Sequence, residues 1–156
     1  MKRKINASII LLIFTITLCG CGAEKIIMDQ PAEDGNYHYT NRDLGFSIVF
    51  PPEFEYYQTQ RISELDYIDI EYYIPTTDKK YPQVVPGYAS PITIRIYTAE
   101  AWDRADPDNE DFLYDKIGER KDKIYSVRYW DWVPTDWVGV WTEEMRRNII
   151  KSFEII

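Results

Sequence analysis

The chain has 156 residues, of which 26 are Asp or Glu and 18 are Lys or Arg, so its formal net charge is −8. This acidity argues against nucleic acid as a partner, because phosphate backbones are bound by clusters of Lys and Arg. The chain has one histidine and two cysteines, too few ligands for a structural zinc site. We therefore expect no nucleic-acid binding, no metal and no cofactor.

The N-terminal segment has the pattern of a secretory signal peptide. Lys2, Arg3 and Lys4 form a charged start, and residues 9–18 (IILLIFTITL) are apolar except for two threonines. As a helix this run would be about 15 Å long, half of the roughly 30 Å hydrocarbon core of a bilayer. Because it is too short to span a membrane, we predict that residues 1–20 are a signal peptide for export.

The predicted signal peptide ends in LCGC, at residues 18–21. A leucine, a small residue and a glycine before a cysteine resemble the lipobox of bacterial lipoproteins, and Gly20 places the modified cysteine at Cys21 rather than at Cys19. The resemblance implies cleavage before Cys21 and a diacylglycerol on its thiol. The lipid would anchor the protein on the extracytoplasmic face of the cell membrane. The alternative is ordinary secretion with Cys21 free.

The rest of the chain divides into a tether and one domain. Residues 21–35 show no hydrophobic period and end in a stretch with Pro, Asp and Gly, so we interpret them as the lipidated cysteine and a tether. Residues 36–156 are predicted to form one globular domain, expected to be a monomer. Cleavage and lipidation would leave that domain without a thiol, so its hydrophobic core alone must stabilise it.

The first half of the domain alternates in the manner of β-strands. Residues 37–50 (YHYTNRDLGFSIVF) predict two strands joined by a tight polar turn. In residues 65–74 apolar side chains alternate with polar ones such as Asp69 and Glu71, which is typical of a strand with one solvated face. Residues 92–97 (ITIRIY) repeat this alternation after a loop rich in Pro, Gly and Lys. These strands predict an antiparallel sheet.

Two helices are predicted next along the chain. Residues 98–105 favour a short helix capped by Thr98. The stretch DPDNEDFLYDKIG favours a longer one, with Asp106 as N-cap, Pro107 at the first helical position and Gly118 at the C-terminal stop. Acidic residues in its first turn would interact favourably with the helix dipole.

A strand and a closing helix complete the predicted domain. Residues 123–132 favour the strand, and TEEMRRNIIKSFEII favours a helix capped by Thr142. Met145, Ile149 and Phe153 would form a stripe that packs on the sheet. Strands in the middle with helices packed on both faces predict an α+β fold.

Two stretches of the domain resemble the PsbP-like family. The first is YTNRDLGFSIVFPPEF near its start, and the second is IIKSFEII at its end, while VPTD at residues 133–136 resembles a segment that precedes the closing helix in bacterial members. One position departs from the pattern, since Phe54 stands where the family often has Trp. The resemblance covers most of residues 37–156. It implies an α/β/α sandwich with a central, mainly antiparallel sheet, and an accessory or interaction protein rather than an enzyme.

Two groups of residues raise catalytic or metal-binding interpretations, and structural roles fit both better. His38 is the single histidine and lies in the predicted first strand, which suits a surface residue better than a Ser-His-Asp site. Asp106, Asp108 and Glu110 have the first spacings of an EF-hand loop, but the glycine and the final glutamate of that motif are missing. Helix capping explains these acids better, so no metal or catalytic residue is predicted.

The stretch YWDWVPTDWVGVW, residues 129–141, holds four of the five tryptophans. Trp130 and Trp141 are predicted to pack in the core, since large aromatic residues mostly do. For Trp132 and Trp137 the sequence does not decide between core and surface. Trp137, for example, lies in a turn, where no strand or helix would bury it. With Asp136, these two form a hypothetical ligand-binding set.

These observations predict a non-catalytic binding or scaffolding module of the cell envelope, anchored to the membrane through its N-terminal lipid. Its partner would be another envelope protein. The first alternative is a protein that binds cell-wall glycan through Trp132 and Trp137. The second is a hydrolase that uses Asp131 and Asp136 as paired carboxylates.

Overall fold

The structure is a computed structural model that describes residues 31–156. The strands and helices of that range have these bounds: β1 Tyr37–Asn41, β2 Phe46–Phe50, β3 Gln58–Ser63, β4 Tyr67–Pro75, β5 Tyr88–Thr98, α1 Ala99–Arg104, β6 Asp115–Arg120, β7 Lys123–Tyr129, α2 Glu143–Lys151 and β8 Glu154–Ile155. Single 3₁₀ turns lie at Pro52–Phe54 and Thr135–Trp137. The predicted signal peptide and Cys21 lie outside the described residues, and the predicted tether is described only from residue 31.

Five strands form an antiparallel sheet in the order β3-β4-β5-β7-β6. Alternation along each strand gives this sheet one apolar and one largely polar face. On β4, Ile70, Tyr72 and Ile74 belong to the buried core, whereas Glu71 faces the other side. The strands predicted at residues 65–74 and 92–97 are thereby confirmed.

A second sheet, in the order β1-β2-β8, covers the apolar face together with α2. Phe46, Ile48 and Phe50 of β2 are fully buried, and the ring centroids of Phe50 and Tyr72 lie 4.7 Å apart. Ile149 of α2 belongs to the same cluster. Burial of each such side chain contributes about 1.5–3 kcal/mol. The predicted β1–β2 hairpin is therefore both present and central to the core.

The predicted α+β fold, an α/β/α sandwich, is wrong. The domain is β-rich, with a five-stranded sheet packed against a three-stranded one. Its nine-residue helix α2 lies in the same layer as the small sheet, and its six-residue helix α1 covers only one end of the opposite face. An α/β/α sandwich would need a layer of helices on the apolar face of the five-stranded sheet. Strand β2, with three fully buried apolar side chains, packs on that face instead.

The helix predicted to begin at Asp106 is also wrong. Asp106 has a φ of 56° and lies in a turn, and the following residues run through turns into β6. Gly118 does not end a helix but lies within β6, where a Cβ would approach the Ile155 side chain to 2.9 Å. The glycine therefore allows β6 to pack closely against β8.

The two remaining helices are present, but the closing one is shorter than predicted: α2 ends at Lys151, so Phe153 lies outside it and the chain continues into β8. The Thr98 hydroxyl accepts a hydrogen bond from the backbone N–H of Ala101 at the start of α1. The Thr142 hydroxyl accepts one from the N–H of Met145 at the start of α2. Such N-caps typically contribute about 1 kcal/mol each. Within residues 31–156 no helix is long and apolar enough to cross a bilayer.

Candidate functional site

The second face of the five-stranded sheet is covered only at its ends. At one end α1 and the loop that follows it pack on the sheet, and the ring centroids of Trp102 and Phe112 lie 5.3 Å apart. At the other end Tyr81, from the loop between β4 and β5, lies beside the tryptophans that follow β7. Between these covers the sheet carries polar side chains, and this strip contains the candidate site.

Three polar residues form a row across the strip. Glu71 on β4 is paired in register with Thr93 on β5, and Thr93 is paired with Arg128 on β7. Side chains at paired positions lie on the same face, about 5 Å apart. The Nη2 of Arg128 donates a hydrogen bond to Oδ2 of Asp131 at 2.8 Å. All four residues line a groove of about 250 Å³.

One wall of this groove is a ring cluster formed by Tyr81, Trp130 and Trp132. The ring centroid of Tyr81 lies 6.4 Å from that of Trp130 and 6.3 Å from that of Trp132. Trp130 is partly buried, and its ring centroid lies 5.1 Å from that of Trp141. Trp132 is 55% exposed. The cluster therefore joins the core at one ring and presents another to solvent.

Next to this row the strip contains a buried ion pair. The Nε and Nη2 of Arg95 donate to the two carboxylate oxygens of Asp69, each at 2.7 Å. The guanidinium lies over the Tyr67 ring at 3.5 Å and over the Tyr114 ring at 4.2 Å. Burial and the Asp69 charge raise the pKa of Tyr114 to about 12, against the opposing effect of Arg95. The two charged groups are thus satisfied by each other and by these rings, and neither residue lines the groove.

Two aspartates connect the loop between β4 and β5 to the segment after β7. Asp136 accepts hydrogen bonds from the Thr76 hydroxyl at 2.8 Å and from the Thr77 backbone N–H at 2.7 Å. In the opposite direction, Asp78 accepts one from the backbone N–H of Thr135 at 2.9 Å. These two segments carry the ring cluster. The reciprocal hydrogen bonds, which we call the aspartate clamp, therefore hold its rings side by side.

The structure separates the residues that the sequence grouped as a ligand-binding set. Trp132 is exposed and lines the groove. Trp137, which the sequence left open between core and surface, is only 8% exposed, and its Nε1 donates to the Pro75 carbonyl at 3.1 Å, so it is a core residue and not part of the groove. Asp136 is occupied by the aspartate clamp. The predicted core positions of Trp130 and Trp141 are confirmed, since both pack against the main core.

Acidic pH should weaken the aspartate clamp. The hydrogen bond from the Thr135 backbone is the main cause that lowers the pKa of Asp78 below its ordinary value of 3.8. Burial acts to raise the pKa of Asp136, but hydrogen bonds from Thr77 and Thr76 together lower it. Since the folded state holds these protons less tightly than the unfolded chain, the stabilisation is complete above the unfolded pKa and is lost as pH falls through the folded values.

The measurement is urea unfolding at several pH values between about pH 6 and about pH 3. We expect the free energy of unfolding to fall more steeply with acid in the wild type than in the Asp78→Asn, Asp136→Asn double variant. Parallel pH profiles would contradict a role of these two carboxylates in acid sensitivity.

The paired carboxylates considered for hydrolysis do not share the groove. Asp131 lines it, whereas Asp136 belongs to the aspartate clamp. A general acid requires a raised pKa, whereas hydrogen bonds from Thr77 and Thr76 lower the pKa of Asp136 against the effect of its burial. His38 lies exposed on β1, with Nε2 3.0 Å from Oδ2 of Asp34. Asp131 and Asp136 therefore do not form the paired carboxylates of the hydrolase hypothesis.

A wider groove, of about 420 Å³, lies between β2 and α2. Val49 and Met145 line it together with Glu53 and Glu144. The aromatic residue in its lining, Phe50, is fully buried in the core and presents no ring to a ligand. Aromatic faces with a few convergent polar groups are typical of ligand sites, so the smaller groove beside the ring cluster is the better candidate.

Sequence reasoning missed Glu71, Arg128 and Tyr81 as site residues. The strand alternation had already placed Glu71 on the solvated face of β4, which was the available signal. Tyr81 lies in the loop between β4 and β5, and no local pattern indicates that its ring meets the tryptophans after β7. That contact depends on the aspartate clamp, which joins positions 57 and 60 residues apart in the chain.

Neither a metal site nor a known relative indicates a function for the groove. In the part of the chain that the structure describes, no three His, Cys, Asp or Glu side chains are grouped so that they could hold a metal ion. No protein-family model matches the chain, and comparison with curated proteins and with solved structures finds no significant match. The PsbP-like and lipoprotein resemblances therefore stay predictions, and the function must be argued from the groove.

Proposed function

We propose that this protein is a lipid-anchored, extracytoplasmic binding protein of the cell envelope that holds a cell-wall glycan in the groove beside its ring cluster, without catalysing a reaction on it. The observation that carries the proposal is Trp132, which exposes more than half of its surface directly beside a row of hydrogen-bonding side chains. Aromatic side chains that line a concave surface together with a few polar groups are typical of ligand-binding sites. Glycan binding was the first alternative to a protein partner, and the groove favours it. Binding to another envelope protein stays a prediction.

Sugar rings suit such a groove for two chemical reasons. Their C–H faces are apolar and pack on the face of an aromatic ring, which the partly exposed Trp132 and Tyr81 provide. Their hydroxyl groups both donate and accept hydrogen bonds. Glu71 and Asp131 supply acceptors and Arg128 supplies donors along the groove. A shallow groove with few polar groups fixes orientation more than it provides affinity.

The predicted anchor and tether are consistent with this role. A lipid on Cys21 would hold the chain at the outer face of the membrane, and the fifteen residues 21–35 would extend at most about 50 Å. The domain could then meet wall polymer while it stays attached. The acidic net charge of −8 opposes close contact of the domain with anionic lipid, so the groove would be free to face outward.

Trp132→Ala should abolish retention of the protein on purified cell-wall polysaccharide while leaving the midpoint of thermal unfolding almost unchanged. Its ring is mostly solvent-exposed, so truncation removes binding surface rather than core contacts. The matched control is Tyr56→Ala, because Tyr56 is 54% exposed and does not line the groove. Retention that survives Trp132→Ala, or that Tyr56→Ala reduces equally, would contradict the proposal.

Cys21→Ser should move the protein from the membrane fraction to the soluble extracytoplasmic fraction, because the variant lacks the thiol to which the lipid would be attached. Immunoblotting of cell fractions measures this. Cys19→Ser is the matched control, since the lipobox resemblance places that residue within the removed segment. A wild-type protein found free in the medium would rule out the anchor.

A further inference from the structure

Glu71 is a charged residue of the groove that has no cation beside it. One of its oxygens, Oε2, accepts a hydrogen bond from the Tyr73 hydroxyl, and none of the ion pairs within residues 31–156 includes it. Its neighbours in register are Gln60 on β3 and Thr93 on β5, both uncharged. Glu71 as a whole residue is partly buried, and burial of a charge is costly when no opposite charge accompanies it.

The arginines of this face are already engaged elsewhere. Arg95 donates to both oxygens of Asp69, and Arg128 donates to Asp131. Of the charged side chains that line the groove, Arg128 and Asp131 neutralise each other, and Glu71 is left over. The groove therefore keeps one net negative charge at its floor, next to aromatic rings.

Tyr73 holds this charge in place. Burial, with the hydrogen bond to Glu71 as a second cause, raises the pKa of the Tyr73 hydroxyl, so the hydroxyl stays a donor at neutral pH. Tyr73 itself is only 4% exposed. The side chain of Glu71 is thus oriented through one oxygen, while its other oxygen has no hydrogen bond among the described residues and is available to a ligand.

We propose that the glycan bound in this groove is an amino sugar with an unacetylated amine, whose ammonium group pairs with Glu71 and lies against the rings of Tyr81 and Trp132. The inference rests on the proposed glycan-binding function and specifies its ligand. An ammonium group supplies the charge that Glu71 lacks through a charge-assisted hydrogen bond. It is also attracted to the electron-rich faces of aromatic rings. An N-acetylated sugar offers the same hydroxyls and ring faces but no cation.

Two soluble probes separate the ammonium group from the sugar. They are the tetramer of glucosamine and the tetramer of N-acetylglucosamine, measured by isothermal titration against the full-length protein in nonionic detergent at pH 6 and physiological ionic strength. We expect the glucosamine tetramer to bind about tenfold more tightly, as one favourable ion pair would provide. This preference should shrink with added salt, whereas binding of the acetylated tetramer should not.

Glu71→Gln should remove the preference, because it should lower the affinity for the glucosamine tetramer about tenfold more than the affinity for the acetylated tetramer. The amide keeps the shape of the side chain and can still accept from Tyr73, so the thermal midpoint should not fall. Glu110→Gln is the matched control, because Glu110 is an exposed acid outside the groove. It corrects for general attraction of a cationic sugar to an acidic protein.

The outcomes distinguish this inference from the function on which it rests. Equal affinity for both tetramers, with binding that still depends on Trp132, would overturn the ammonium inference and leave glycan binding intact. A preference that persists in Glu71→Gln would overturn it as well. No affinity for either tetramer, together with no retention on cell-wall polysaccharide, would overturn both.

Discussion

Asp69→Ala should lower the free energy of unfolding by about 3–5 kcal/mol, because it leaves the Arg95 guanidinium charged and buried without its carboxylate. The Asp69 side chain is 6% exposed and that of Arg95 is 17% exposed. The aromatic rings of Tyr67 and Tyr114 enclose the guanidinium and leave little room for water to replace the lost oxygens. Urea unfolding monitored by tryptophan fluorescence measures the effect.

Asp66→Ala is the control for this prediction. Asp66 also pairs with an arginine, Arg104, but both side chains are about half exposed. Exposed pairs contribute between 0 and about 1 kcal/mol, so this variant should be almost neutral. An Asp69→Leu, Arg95→Met double variant should recover most of the loss, since a buried pair replaced by apolar residues costs little. Similar losses for Asp69→Ala and Asp66→Ala would contradict the assigned burial.

Trp137→Ala should be as destabilising, with a loss of about 3–5 kcal/mol, which is typical of large aromatic residues in a core. The ring is 8% exposed, and its centroid lies 6.0 Å from that of Phe54 and 6.2 Å from that of Trp130. Truncation would leave a cavity between these rings and the Pro75 carbonyl without its donor. Thermal unfolding followed by circular dichroism would record the loss.

Trp132→Ala is the matched comparison, since it removes the same side chain five positions earlier in the chain. With 55% of its surface exposed, Trp132 should contribute less than about 1 kcal/mol to stability. The two variants should therefore separate stability from glycan retention: the first loses stability and the second loses retention. Equal destabilisation by both would mean that Trp132 is a core residue, and the proposed function would lose its main support.

The strands were predictable because their signal is local. On β4 the alternation of Ile70, Tyr72 and Ile74 with polar residues indicates both the strand and its buried face. The caps at Thr98 and Thr142 are equally local, since each hydroxyl satisfies an N–H three residues later. Such features need no knowledge of the rest of the chain.

The helix expected at Asp106 shows where local signals failed. An N-cap residue, a proline and a run of acids favour a helix start, yet the following residues enter β6, an edge strand whose backbone bonds to β7. Gly118 was interpreted as a helix stop, although its role depends on the Ile155 side chain, which lies against it from β8. A glycine required by close packing and a glycine required by a helix end look the same in a sequence.

Only local information was readable from the amino-acid order: the strand faces, two helix caps and the richness in aromatic residues, together with the pattern from which export and a lipid anchor are predicted. The tertiary structure decided which tryptophan is exposed, that Tyr81 joins Trp130 and Trp132, and that Glu71 lacks a cation. The physical reason is distance along the chain. Burial and charge pairing depend on residues brought together from β4, β5, β7 and the loop between β4 and β5, and no periodic pattern encodes which of them meet.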